Sequence, residues 1–187
     1  MKNVTTWIGL ILLGLILGVG SAFLAVRQPF DGIRNGSWTA SFETGSQSAD
    51  AWTRARVAVQ ALLAMTKDQA IYFTAHHDSE GRAFDANCSY TIRGGRFATR
   101  WWSVTIYDDE YFLISNPDDR YSITAAGLEV DDAGRWSAGI SNDPDADLVA
   151  PPAGDFNLIL RLYHPDPSTL KNPAAVAAPV ITREACG

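Results

Sequence analysis

The sequence predicts a mainly β fold: an antiparallel β-sandwich of jelly-roll-like form with one amphipathic α-helix, preceded by an N-terminal transmembrane helix. Three observations predict it. A charge-free apolar run opens the chain, a single stretch beyond it has helical periodicity, and from about residue 70 short alternating runs are separated by acidic turns. The 187 residues are 47% apolar, 11% aromatic and 19% charged, enough for one core of ordinary size. Six Trp, eight Phe and six Tyr exclude a solvated coil. The expected organisation is an anchor or signal sequence over 1–27, a linker over 28–36 and an exported sandwich over 37–187.

From Trp7 to Val26 twenty residues carry no charge, and a helix of that length is about 30 Å long, the hydrocarbon thickness of a bilayer. Lys2 and Arg27 flank it, with Trp7 where an interfacial aromatic sits. A cleavable signal peptide is the rival reading, with Gly20-Ser21-Ala22 as its small-residue cleavage site. The apolar character continuing through Phe23 to Val26 favours a retained span. Either reading exports the remainder, so the expected location is the inner membrane, single-pass, with the C-terminal domain in the periplasm. Gly14, Gly18 and Ala22 recur every four residues, a small-residue stripe of the kind found at helix contacts in membranes.

Ser37 to Glu43 alternates like a short strand. Gly45 to Asp50 supplies turn and cap residues for a helix from about Ala51 to Thr66, whose stripe is Trp52, Ala55, Val59, Leu62 and Leu63. Three hairpins are expected next: Ala70 to His76 with Phe84 to Ile92, Trp101 to Tyr107 with Tyr111 to Ile114, and Leu128 to Val130 with Arg135 to Ile140. A further strand runs from Phe156 to Tyr163, and a Pro/Ala-rich tail follows.

After residue 30, thirteen Lys and Arg face twenty-one Asp and Glu, a net −8. Such a body repels phosphate backbones, which disfavours nucleic-acid binding. Cys88 and Cys186 form a candidate disulfide, permitted in an exported compartment; two free thiols are the alternative. No CxxC or His/Cys ligand spacing occurs, so neither a metal nor a cofactor is expected. His76 and His77 are adjacent on a strand and leave opposite faces. Asp143-Pro144-Asp145-Ala146-Asp147 resembles the start of a calcium loop without its glycine and closing Glu.

Strand alternation separates core from candidate site. Trp102, Val104 and Ile106 share one face with Leu158, Leu160 and Leu162. The opposite faces carry Trp101, Ser103, Thr105 and Tyr107 on one strand and Asn157, Ile159, Arg161 and Tyr163 on the other; Trp101, Ser103, Thr105, Tyr107, Arg161 and Tyr163 are the candidate ligand set, suited to a sugar-like or small polar ligand if the two strands share a sheet. Arg120 is a further candidate, for an anion or for ordering its own loop through a carboxylate. The competing reading is a second packing face.

The stretch Trp102-Ser103-Val104-Thr105-Ile106-Tyr107-Asp108, then Asn116-Pro117 and Arg120-Tyr121-Ser122, resembles the bacterial family called domain of unknown function 1214. Ala70-Ile71-Tyr72-Phe73, Pro151 to Phe156 and Leu160 to Pro165 extend the resemblance over about residues 45 to 183; His164 departs from an expected aromatic. The resemblance implies a β-rich sandwich and no catalytic residue. It also implies a partner, a separate chain resembling domain of unknown function 1254. The function expected is therefore a membrane-anchored envelope module that binds a partner protein or polar ligand through a sheet face. The alternative is a hydrolase acting on a carbohydrate or small ester with paired carboxylates.

Overall fold

The computed structural model describes residues 2–26, 32–40, 45–46, 49–59 and 65–187. The chain opens with helix α1 (Lys2–Val26), whose stretch Val4–Val26 has mean hydropathy 2.5 and is long and apolar enough to cross a membrane. Its apolar side chains, from Trp7 to Leu24, stand exposed.

Two sheets follow. The larger contains β1 (Ile33–Asn35), β2 (Trp38–Ala40), β3 (Ala70–Ala75), β5 (Thr99–Asp108), β6 (Ser122–Thr124) and β9 (Phe156–Pro165), in the order β1-β2-β3-β9-β5-β6. The smaller contains β4 (Cys88–Gly94), β7 (Trp136–Ser141), β8 (Leu148–Val149) and β10 (Val180–Cys186), in the order β10-β4-β7-β8. Every ladder is antiparallel except β7 with β8, which is parallel. Helices α2 (Ala51–Val59) and α3 (Pro167–Lys171) complete the regular elements, with a short 3-10 turn at Pro173–Ala175.

Alternation builds the core. Phe73, Leu160, Val104 and Ile123 lie opposite one another across β3, β9, β5 and β6, and all four are buried. The smaller sheet answers with Ile181, Ile92 and Ala138 in one row. Trp102 of β5 stacks on Trp136 of β7 with centroids 4.8 Å apart, and Phe84 stacks on Phe156 at 4.8 Å. Such aromatic pairs add about 0.5–1.5 kcal/mol beyond the area they bury and tie one sheet to the other.

The three expected hairpins are not formed. Both edges of β3 are occupied by β2 and β9, so the chain after Asp78–Arg82 crosses to the other sheet, leaving one isolated bridge between His77 and Ala83. β5 likewise pairs with β9 and β6; residues 111–114 form no strand, and Phe112 and Leu113 are exposed. Residues 128–130 are also irregular, because β7 takes β4 as its partner. The segment expected as a linker contains β1, and the Pro/Ala-rich tail ends in β10.

Helix α2 begins where expected, with Asp50 Oδ1 accepting the Thr53 N–H at 2.6 Å. Its buried residue is Thr53, whereas Trp52, expected on the stripe, is exposed. Leu62, Leu63 and the side chain of Val59 lie outside the described residues, as do residues 41–44 of the first expected strand.

Three turns share one build. Asp78, Asp108 and Asp131 each accept, on Oδ1, the N–H groups two and four residues onward, at 2.8–3.0 Å. The residue three positions on takes positive φ: Gly81 (82°), Tyr111 (67°) and Gly134 (74°). In the first and third turns an arginine closes back onto the aspartate, Arg82 at 2.7 Å and Arg135 at 2.8 Å.

The register sets Cys186 opposite Cys88, and a disulfide joins their sulfurs. β10 is thereby fixed to β4 at its end as well as along its ladder.

Candidate functional site

β5 and β9 are neighbours, so the residues that alternate away from the core share the outer face of the larger sheet. The register opposes Trp101 to Tyr163, Ser103 to Arg161 and Tyr107 to Asn157. On the other side of β9, β3 sets Tyr72 opposite Arg161 and Ala70 opposite Tyr163.

These residues fall into two groups. Trp101 and Tyr163 form a tilted ring pair with centroids 5.1 Å apart at one end, Trp101 being 38% exposed. At the centre, Arg161 donates to Thr105 Oγ1 (3.0 Å) and to Tyr107 Oη (2.6 Å). Its guanidinium carbon lies 5.4 Å from the Tyr107 ring centroid and 6.0 Å from that of Tyr72. Each such cation–π contact contributes about 0.5–1 kcal/mol and holds the side chain in place. Thr105 Oγ1 is also within 3.3 Å of Ser122 Oγ. Ser103 and Thr105 are buried beneath this layer.

Arg161 leans toward Tyr107, away from the Trp101–Tyr163 pair, so the expected single face is divided. Among the described residues no carboxylate lies within ion-pairing distance of Arg161. Among the described residues this half-buried guanidinium is held by hydroxyls and aromatic rings rather than by a carboxylate. Burial pushes the Tyr72 phenol up, against a backbone hydrogen bond from Met65.

Arg120 does not join this group. Its guanidinium meets the Asp145 carbonyl at 3.2 Å and the Asp118 carboxylate at 3.8 Å, while Asn116 Oδ1 accepts its backbone N–H at 2.7 Å. Arg120 lies in the loop ahead of β6, next to Asp119 with its positive φ of 54°. Arg120 therefore orders its own loop.

Three further residues lie along this part of the sheet: Tyr72 and His76, which the sequence reading did not single out for the site, and Asn157, which it placed on the outer face of β9 without a role. The signal for Tyr72 is the alternation of β3, usable only once β3 is known to lie beside β9. Asn157, 1% exposed, donates Nδ2 to the Asp108 carbonyl at 2.7 Å, while its Oδ1 is buried without a donor. His76 follows the last pair of β3 with β9, Ala75 with Leu158, and its ring meets that of Tyr111 edge-on at 6.4 Å. Burial, with a smaller repulsion from His77, lowers the pKa of His76, which keeps the imidazole neutral at pH 7.

Elsewhere, Asp143, Asp145, Asp147 and Glu184 line an open recess of about 380 Å³ on the smaller sheet. Asp147 is engaged by the Gly139 N–H (2.7 Å), and Asp143 by that of Asp145 (2.9 Å). Among the described residues no three His, Cys, Asp or Glu side chains converge to hold a metal. Arg93 of β4 faces Glu184 at 3.9 Å.

An apolar leading helix, a two-layer sandwich and a polar patch around one uncompensated guanidinium define a β-sandwich protein with a candidate membrane span. The chain belongs to the family described as protein of unknown function (DUF1214), which matches residues 69–167 and includes Tyr72, His76, Trp101, Tyr107, Asn157, Arg161 and Tyr163. Among solved structures, the VPA0106 protein from Vibrio parahaemolyticus is 22% identical with a TM-score of 0.56, over 74% of this chain and 36% of that one. An uncharacterized protein from Burkholderia cenocepacia is 15% identical with a TM-score of 0.47, over 89% and 40%. The first shares the fold; this chain spans little more than a third of its length. No curated protein matches the chain.

Proposed function

We propose that this protein is a non-catalytic envelope module, held in the inner membrane by α1 with its sandwich in the periplasm, that binds a polar ligand on the outer face of the larger sheet. The observation that carries the reading is Arg161. A cation on a sheet face, fixed by Tyr72, Thr105 and Tyr107 and without a carboxylate partner among the described residues, is a prepared anchor for an incoming acceptor. Trp101 and Tyr163 add an aromatic shelf at the same face. A partner chain resembling domain of unknown function 1254 would dock on this face as well.

The hydrolase alternative draws no support from the acids. Among the described residues, the carboxyls displaced from their ordinary range, Asp50, Asp68, Asp78 and Asp131, are all displaced downward, which suits fixed anions rather than a proton donor.

The test uses full-length protein in detergent, screened by thermal shift against envelope sugars and small anions. A ligand at a hundredfold its Kd stabilises by about 2.7 kcal/mol, a rise of roughly 5 °C for a domain of this size. The reading expects such a rise for at least one probe and its loss in Arg161→Gln. An equal response in the variant, or none in either protein, removes it. Retention in alkaline-washed membranes, with the body cut by protease added to spheroplasts, tests the placement.

A further inference from the structure

The strand directions give the sandwich two unlike ends. Near the start of β9, Leu158 lies beside Ala75 of β3 and Ile106 of β5; near its finish, Tyr163 lies beside Ala70 and Trp101. The turns headed by Asp78 and Asp108 follow β3 and β5, so both stand at the end where β9 starts. The acidic loop from Asp143 to Asp147 joins them, because it follows Ser141 at the finish of β7, whereas Trp136 at the start of β7 stacks on Trp102 at the opposite end.

That opposite end has a different character. The His164 N–H donates to the Gln69 carbonyl at 2.8 Å, while the Asp166 N–H and Thr169 Oγ1 both donate to the Ala98 carbonyl, at 2.9 and 3.2 Å. These bonds gather residues 67–69, 98–100 and 164–171 into one surface. Lys67, Arg100 and Lys171 are exposed on it and enter no ion pair among the described residues. Asp68 and Asp166 are the acids of the same segments, so cations hold the majority here in a body that is acidic as a whole. Trp101, 38% exposed, stands at the rim with Tyr163.

The leading helix approaches from this basic end. The register Ile33 with Ala40, Asn35 with Trp38 and Trp38 with Ala75 means that β1 enters the sheet running toward the acidic end. β2 then leaves toward the basic end and β3 returns from it, which puts α2, with Arg54 and Arg56, on that side. α1 touches α2, and Ala25 and Val26 at the finish of α1 are half-buried while residues 4–24 are exposed.

We infer that the sandwich docks by this end on the anionic headgroups of the bilayer that holds α1, with Lys67, Arg100 and Lys171 at the lipid phosphates and Trp101 at headgroup depth. The inference rests on α1 as a membrane span and adds a second, electrostatic contact to it. Basic side chains near an anionic lipid surface gain from its negative potential, and the gain fades within a Debye length, about 10 Å at 0.1 M salt. Tryptophan is enriched at that depth. The same potential repels the acidic end, so attraction and repulsion select one orientation of the body.

The test reconstitutes the full-length protein in vesicles that contain phosphatidylcholine with a nitroxide on its headgroup. A fluorophore is attached at Ser168→Cys, exposed on α3 at the basic end, or at Asn142→Cys, exposed at the acidic end; the native cysteines are joined to each other and do not label. Adding about 30% phosphatidylglycerol should raise quenching of the first label about twofold or more and leave the second unchanged. Salt at about 1 M, where the Debye length is near 3 Å, should abolish the rise. So should the combination Lys67→Gln, Arg100→Gln and Lys171→Gln, with circular dichroism confirming its fold. Loss of the chain from alkaline-washed vesicles removes the span reading and the docking with it. A retained chain whose Ser168 label ignores phosphatidylglycerol, or responds equally in the triple variant, overturns the docking alone and leaves the basic end to a protein partner.

Discussion

Asp78 shows how one carboxylate can be buried and remain charged. Its side chain is fully covered, yet it accepts from Arg82 Nε at 2.7 Å and from the N–H groups of Glu80 and Arg82, and the Arg183 guanidinium faces it as an ion pair at 3.5 Å without a hydrogen bond. Burial alone raises its pKa, but the bonds from Arg82 and Glu80 outweigh it and hold the carboxyl below the ordinary range. A folded pKa below the unfolded value of about 3.9 means that the stabilisation is complete above that value and disappears as pH falls through the folded one. Urea unfolding should therefore show stability falling below about pH 4 in the wild type, and a flatter profile in Asp78→Asn. At pH 7 the variant should lose about 2 kcal/mol, less than the ~3–5 kcal/mol of a wholly buried pair because Arg82 stays near water. At this scale alternation put Thr105 with Tyr107 on one strand and Asn157 with Arg161 on another, and a shared sheet had to be supposed to bring the two sets together. Tyr72 and His76 depend on which strand lies on the other side of β9, which no local pattern encodes.

Elements meet at turns, and the three aspartate-headed turns explain both what was readable and what was not. Their acidic and glycine residues mark each reversal plainly. Whether the chain then pairs with the strand it has left depends on whether an edge remains open, and β3 and β5 each have both edges filled by distant strands. The glycines supply a graded test. A side chain at Gly81 meets open space, so Gly81→Ala carries only the cost of positive φ, about 1 kcal/mol. At Gly134 a Cβ would fall 2.4–2.9 Å from the Arg96 side chain, so Gly134→Ala must displace Arg96 as well. Thermal melts should rank Gly134→Ala below Gly81→Ala, and both below wild type.

For the whole molecule, sandwich layering and the leading helix were legible because both depend on composition and period. The final strand was not: a tail rich in Pro and Ala gives a weak strand signal, and β10 is held by pairing with β4, whose start lies 98 residues earlier at the disulfide. A cross-link closing a loop of that length restricts the unfolded chain strongly, so Cys88→Ser with Cys186→Ser should lose about 4 kcal/mol in chemical denaturation. Reduction of the wild type should reproduce that loss.

β1 begins only seven residues after the end of α1. Covalent geometry limits that stretch to about 25 Å even at full extension. If α1 sits in a bilayer as proposed, the sandwich is leashed close to the lipid surface. Under the proposed function, whatever the sheet face captured would have to come down to the membrane, and a longer spacer inserted at this point would enlarge the volume the sandwich sweeps.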